Sequence, residues 1–422
     1  MKNGQYRVLL CAAACSPKAG SEPAVGWRAY QILRQRHQVH VICSGWSRQA
    51  IQEAASKGEA NFEEFTFISE PYASVGTPTI DKWLSWMNFR HFQASLKTVG
   101  PKTVNQFKPD LIHQVTIASW RIGNPLAGRG VPFVWGPIGG GETLPMSFLG
   151  GFSLYSKIFE ILRAFSGQLA RRQRLVKKTA RSAEHVFASN RETLEVVADL
   201  RGSRTRVEVL PVVFFPSEKT QKFRESATRR QSPGAPVQIF SGGYVEARKG
   251  IGLALQALAR LKHINSFQYE HGGIGPEKSH LQKAIRRFGM QDFVRIVDPY
   301  HGTDYDNKLR GSDIFLFPSL RDNCPISLLE AMGHGCVPVV ADHAGPGEIV
   351  TPECGVKIPV TRPADFVDRL TEELAKLFQD AERRRRLGEA ARLRVIEKFS
   401  QQNWLQQVEA AYQKVTAGTR PS

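Results

Sequence analysis

The feature that most constrains this chain is the regular alternation of short apolar runs with amphipathic stretches along its 422 residues. The run YRVLLCAAA at 6–14 has almost no polar position, the pattern of a strand buried on both faces. The loop SPKAGSEP follows, then a helical stretch from Val25 to Arg36 and a second strand, QVHVICS, at 38–44. PDLIHQV at 109–115, VPFVWG at 131–136, EHVFAS at 184–189 and VEVLPV at 207–212 continue the series. Strand–helix–strand repetition of this kind predicts a parallel sheet covered by helices on both sides.

The pattern breaks in PSEKTQKFRESATRRQSPGAP, which is polar, charged and rich in Pro and Gly near its end. A second series then begins with VQIFSGG and runs through SFQYEHGG, FVRIVD, DIFLFPS, CVPVVAD and GVKIPV. Helices are predicted at about 250–262, 277–288, 326–335 and 363–378. The fold class is therefore α/β: two doubly wound, Rossmann-like halves, 1–212 and 237–397, joined by a linker at 213–236. In the remainder, 398–422, Trp404, Val408 and Tyr412 share one helix face, and this helix is expected to cross back to the N-terminal half.

Composition narrows the partners. Hydrophobic residues make up 41% of the chain, enough for ordinary cores, and no apolar run approaches the ~20 residues that span a bilayer. The first residues do not read as a secretory signal, so a soluble cytoplasmic protein is expected. Six cysteines are scattered without a CxxC pair and read as small buried groups. The net charge of +18 is the abnormal value and implies a polyanionic partner: a phosphorylated small molecule, an anionic lipid surface or nucleic acid.

In open parallel sheets ligands bind beyond the carboxyl ends of the strands, and four loops there are unusual. Gly20 lies in AGSE, where a bare backbone lets a phosphate or sugar approach a helix start; a tight turn explains it equally. Gly139-Gly140-Gly141-Glu142 follows a strand directly. In SGGYVEARKGI, Arg248 and Lys249 stand beside a strand end, a fork and a point charge suited to a diphosphate. The fourth loop follows DIFLFPS: Asp322 sits in it and Glu330 eight residues on, in a helix starting near Ile326. Two carboxylates so placed can hold vicinal hydroxyls, and the helix start can face a phosphate; a capping Asp with an ordinary helix Glu is the alternative.

This fourth segment resembles the signature of the retaining, nucleotide-sugar-dependent glycosyltransferases of family four. It stands here as Asp322, NCPISLL, Glu330-Ala331-Met332, then Gly335-Cys336-Val337-Pro338-Val339 and Gly345-Pro346-Gly347-Glu348-Ile349-Val350. Gly275-Pro276-Glu277 and the segment from Gly243 to Gly250 are similar to other family marks, and SEPAVGW with WGPIGGGE resembles a branch acting in surface polysaccharide assembly. The resemblance implies the GT-B architecture, with a UDP- or GDP-sugar in the cleft between the halves and no further cofactor. It implies that Glu330 holds the ribose, that Asp322 lies near the donor sugar, and that Arg248 and Lys249 neutralise the diphosphate. Gly20, Gly243 and the backbone of Ile326 and Ser327 would contact the donor. The base would be met at Pro299 and Tyr300, and the acceptor side would include His113, Gly140, Gly141 and Glu142.

Two positions depart from the family pattern: Tyr244 stands where many members have Arg, and Gly136-Pro137 where many have His. His113, at the end of LIHQV, is the nearest substitute, with a buried, hydrogen-bonded structural histidine as the alternative reading. Asp304-Tyr305-Asp306 reads as a polar surface turn rather than a metal site, so the cations are expected to replace a metal. A glycan or lipid-linked saccharide is the implied acceptor. The stretch 161–182 carries seven basic residues and no acid, a basic amphipathic helix suited to an anionic membrane at the inner face of the cell membrane, with a core-facing helix and a solvated basic face as the alternative. Trp83, Trp86 and Met87 form an apolar cluster suited to a lipid chain. The alternatives are an epimerase or hydrolase of the same architecture and a basic nucleic-acid-binding protein; the latter lacks a recognition motif, so no nucleic acid is expected.

Overall fold

The computed structural model describes residues 4–20, 22–71, 78–226, 235–264 and 267–417. The chain forms two compact units, one of Met1–Gly141, Ser166–Phe214 and Gln401–Ser422, the other of Glu142–Phe165 and Phe215–Ser400. The first is built on seven parallel strands: β1 (Arg7–Cys11), β2 (Gln38–Ser44), β3 (Phe65–Ile68), β4 (Leu111–Gln114), β5 (Phe133–Ile138), β6 (His185–Ala188) and β7 (Val207–Val209). Their order, β3-β2-β1-β4-β5-β6-β7, reverses direction between β1 and β4. The second holds six: β8 (Val237–Gly242), β9 (Phe267–Gly272), β10 (Val294–Val297), β11 (Ile314–Phe317), β12 (Val337–Asp342) and β13 (Val356–Pro359). Their order is β10-β9-β8-β11-β12-β13, with the reversal between β8 and β11. The loops after β8 and β11 therefore border the crevice where such sheets take ligands.

The apolar runs become strands because both faces are covered. Every residue of β4, β5, β6 and β11 is buried. In the second unit Leu144 and Phe148 join the core, and Phe148 meets Phe366 edge-on at 5.9 Å. In the first, helix Gln401–Thr416 packs Trp404 against Phe214 at 4.6 Å and buries Val408 and Tyr412. None of the six cysteines is joined in a disulfide, and all but Cys324 are buried. Among the described residues no helix is long and apolar enough to cross a membrane.

Several expectations change. Helix Ser217–Glu225 lies inside the stretch read as a linker. Helix Ala381–Lys398 carries too much charge to show a clean period; it forms because Gly388 lets it approach another turn, a Cβ there falling 2.1 Å from the Gly335 carbonyl. The basic stretch 161–182 is not one helix. It is divided at the extended residue Gln173 between helices Leu154–Arg172 and Arg174–Ser182. Trp83 and Trp86 fall in helix Pro78–Phe107, but their side chains lie outside the described residues.

His113 is a core residue, not an acceptor-side one. It is fully buried, with Nε2 2.7 Å from the Gly136 carbonyl and Nδ1 2.7 Å from the Tyr412 hydroxyl. A carbonyl only accepts, so Nε2 carries the proton and Nδ1 accepts from Tyr412. Burial lowers the imidazoles of His37, His113, His271 and His334 to about 4. The unfolded chain takes up these protons near the ordinary value of about 6.5 while the folded chain resists until about 4, so the stability they confer is full above the first and lost toward the second. Melting temperature is expected to fall as pH drops from 7 to 5, and His113→Gln to make that slope shallower; a flat profile in the wild type contradicts this.

Candidate functional site

The loop after β8 opens at Gly243, whose φ of +135° suits only glycine and whose missing Cβ would meet nothing within 4 Å. A short helical turn, Ala247–Lys249, then closes on Gly250 at φ +68°. A Cβ at Gly250 would lie 2.1 Å from the Pro318 carbonyl, so the loops after β8 and β11 abut here. The Leu320 amide donates to the Arg248 carbonyl at 2.9 Å and joins them.

Asp322 stands at this junction. Its carboxylate accepts from Lys249 Nζ at 2.8 Å and from Ser319 Oγ at 2.6 Å, and lies 3.3 Å from Arg248 Nη1. Arg248 also donates to the Arg321 carbonyl at 2.6 Å and pairs with Glu246 at 2.5 Å. Burial alone would raise the Asp322 pKa, but Lys249 and Arg248 outweigh it and hold it below the ordinary aspartate value. Burial likewise disfavours charge on Arg248, and Asp322 and Glu246 more than restore it. Arg248, Lys249 and Asp322, chosen from the sequence, thus form one cluster, and Ser319 and Glu246 complete it.

Helix Ile326–Gly333 begins directly after this loop with Pro325 as its N-cap, a residue whose side chain cannot cap the amides of the first turn. The turn after β12 braces the loop: the Gly345 amide donates to the Asp322 carbonyl at 3.0 Å, and a Cβ on Gly345 would fall 1.4 Å from the Asn323 carbonyl. Glu330 lies in the second turn of the helix, 3.8 Å from Lys219 Nζ. Lys219 also donates to Asp306 at 2.8 Å, and buried His334 lies 3.3 Å from the same carboxylate. The surface-turn expectation for Asp304-Tyr305-Asp306 is thereby corrected: all three are on helix Gly302–Arg310, Asp304 is exposed, and Asp306 is partly buried between Lys219 and His334. Among the described residues no group of His, Cys, Asp and Glu has the arrangement of a metal site.

After β10, Pro299 and Tyr300 are partly buried. Tyr300 donates to Glu270 at 2.8 Å, Lys308 pairs with Glu270 at 2.6 Å, and the Tyr300 ring lies 6.0 Å from Phe240. Burial raises the Tyr300 phenol. Lys219, Glu270, Ser319 and Glu246 are marked by no motif of the sequence. Their only signal is position in loops and helices that the fold brings beside the motif.

In the first unit Gly20 is exposed, with nothing within 4 Å of a Cβ. Glu22 accepts the Ala118 amide at 2.7 Å and tethers the loop after β4. A cavity of about 580 Å³ opens there, lined by Glu22, Ser44, Trp46, Glu70, Asn88 and Ser119 among others. The residues assigned to the acceptor side do not converge on it. Gly140, at φ +92°, accepts from Trp120 Nε1 at 2.9 Å, and Gly141 is required by packing, since a Cβ would lie 2.5 Å from Thr193 Cα. Glu142 belongs to the second unit, buried and 3.6 Å from Arg163.

With this geometry in place, comparison with known proteins is informative. Residues 19–212 match the model of the glycosyl transferase 4-like domain, and residues 222–394 that of the glycosyl transferases group 1. The chain is 31% identical over 170 residues to the MMP alpha-(1->4)-mannosyltransferase of Mycolicibacterium hassiacum, covering 40% of this chain and 41% of that one. It is 26% identical over 200 residues to the amylovoran biosynthesis glycosyltransferase AmsK of Erwinia amylovora, covering 44% and 48%. The chain thus spans less than half the length of these curated relatives. Among solved structures, Anabaena HepE in complex with UDP superposes with a TM-score of 0.62 at 14% identity, over 96% of this chain and 99% of that one. The two matched models take in most of the sequence, and the chain is built of two glycosyltransferase domains in the GT-B fold.

Proposed function

We propose that the protein is a retaining, metal-independent glycosyltransferase that moves a hexosyl group from a UDP- or GDP-sugar to a glycan or lipid-linked saccharide in surface polysaccharide assembly. The observation that carries this reading is the cluster of Arg248, Lys249 and Asp322, fixed at the crevice of the second sheet beside the uncapped start of helix Ile326–Gly333. The donor diphosphate would lie against Lys249, Arg248 and the amides of Ile326 and Ser327, over the open backbone at Gly243, and the ribose hydroxyls would donate to Glu330. Asp322 stays ionised at neutral pH and holds the two cations at a fixed separation. Tyr300 and Pro299 are the nearest side chains proposed for the base.

In the reaction the bond between the anomeric carbon and the phosphate oxygen breaks, and the acceptor oxygen attacks from the side that the diphosphate leaves. The acceptor proton passes to the departing phosphate oxygen, so no protein base is required and the configuration is retained. Charge developing on the diphosphate is met by the two cations and the helix start, already in place before the step. They take the part that a divalent ion plays in other transferases. The saccharide acceptor would enter the cavity in the first unit, where Trp46, 46% exposed, offers a ring face and Glu70 a carboxylate. In this reading the protein works in the cytoplasm, peripheral at the inner face of the membrane.

A thermal-shift series tests the donor class, since a ligand that binds the folded state stabilises it by RT ln(1 + [L]/Kd). UDP or GDP is expected to raise the melting temperature without added divalent ion, and no shift from either overturns the reading. Glu330→Gln is expected to weaken nucleotide binding roughly tenfold, the cost of replacing a charged hydrogen bond to the ribose. Lys249→Ala is expected to lower kcat about 10²–10³-fold, as for other donors aimed at transition-state charge. Wild-type turnover in that variant removes the role assigned to the cation. Product analysis with donor alone separates transfer from epimerisation or hydrolysis.

A further inference from the structure

Helix Leu154–Arg172 is turned inside out. Leu154, Ile158, Ile161, Leu162, Phe165 and Leu169 follow at i, i+4, i+7, i+8, i+11 and i+15, one face of a helix, yet each is 48–73% exposed. An ordinary surface helix turns such a stripe inward. Here the opposite side is fixed by polar contacts: Glu160 takes both Nη2 and Nε of Arg321, at 2.6 and 3.1 Å, and Arg163 Nη1 donates to the Glu142 carbonyl at 2.8 Å. Rotating the apolar stripe inward would break these contacts and strand the charges. A continuous exposed apolar face of this size marks a contact surface.

Charge identifies the occupant. Lys157 flanks the stripe, and the chain continues from its end into Arg171, Arg172, Arg174, Lys177, Lys178 and Arg181, with no acid from 161 to 182. Arg174, Lys177, Lys178 and Arg181 are exposed. A second copy of the chain would bring an identical cationic run to the same place, which is repulsive, whereas an anionic lipid surface meets both features. We infer that the outward face of helix Leu154–Arg172 seats in the interface of an anionic phospholipid bilayer, its apolar stripe at the acyl boundary and the following basic run on the headgroups. This deepens the peripheral-membrane part of the proposed function and is independent of the donor chemistry.

Co-sedimentation of the full chain with phosphatidylglycerol-containing vesicles, against pure phosphatidylcholine vesicles, tests it. The wild type is expected to pellet with the first and not the second. Ile158→Glu combined with Leu162→Glu, at exposed positions, is expected to leave the melting temperature and the nucleotide thermal shift unchanged and to weaken vesicle binding at least tenfold. Lys177→Gln combined with Lys178→Gln is expected to weaken it roughly thirtyfold at low salt, from about 1 kcal/mol per cation near the surface, and less at high salt. Equal binding by the Ile158/Leu162 variant overturns the assignment of this face while leaving membrane association elsewhere. No binding by the wild type overturns both, with the nucleotide shift still reporting separately on transfer. A wild-type dimer that the same variant converts to monomer, without any vesicle effect, makes the face a subunit interface instead.

Discussion

The chemistry of the second unit depends on one shared carboxylate. Asp322 takes Lys249, Ser319 and Arg248 at once, and through its backbone carbonyl it also takes the Gly345 amide. Three loops, those after β8, β11 and β12, therefore converge on a single residue. Two cations 73 and 74 residues upstream in the chain gain a fixed separation without any ligand to hold them. Removing the carboxylate would leave two partly buried cations facing each other, and breaking such a pair is far more costly than forming it is favourable. The glycines of the motif serve the same junction: Gly250 and Gly345 are small because the carbonyls of Pro318 and Asn323 occupy the space of a side chain.

The cluster is also close to electrically balanced. Arg248 and Lys249 are matched by Asp322 and Glu246. In the proposed reading a diphosphate arriving there would not meet a bare positive patch; it would join a network whose donors are already oriented. Pre-orientation, rather than raw attraction, is what such a site contributes, because groups aimed before the reaction need no reorganisation during it.

The sequence reveals most where the signal is local. Parallel strands buried on both faces leave continuous apolar runs, so β1, β5 and β11 are legible as strands, although their ends fall up to three residues from the bounds that the runs suggest. The Asp322–Glu330 spacing is legible too, because a loop and the helix that follows it are neighbours in the chain. Partners brought from a distance are not. Lys219 reads as part of a polar linker, yet it reaches Glu330 and Asp306. His113 reads either as a strand-end ligand residue or as a buried structural one, and only Tyr412, 299 residues away, decides for the core. Helix Ala381–Lys398 is missing from the helices predicted from the sequence, because the contact of Gly388 with Gly335 that seats it is not local. Each miss is a case in which tertiary packing, absent from any local window, decides what the side chain faces.

The protein's excess charge lies away from the candidate site. A net +18 suggests a polyanion, and the diphosphate of a sugar nucleotide is the nearest candidate for that role. Yet the cations beside β8 are balanced by their own carboxylates, so they add nothing to the excess. The stretch 161–182 holds seven basic residues and no acid, and beyond Arg163 and Arg171, which pair with Glu142 and Asp199, five of them have no ion pair of that kind among the described residues to offset them. It also continues from a helix whose apolar stripe points outward while ion pairs hold its polar side in place. Hydropathy period alone assigns that stripe to a core, because period reports that a helix has an apolar face and not which way it turns. Direction comes from Glu160 and Arg321, which fix the rotation of the helix. Positive charge and exposed apolar surface then coincide on one segment, the combination that distinguishes a lipid-facing surface from a nucleotide pocket.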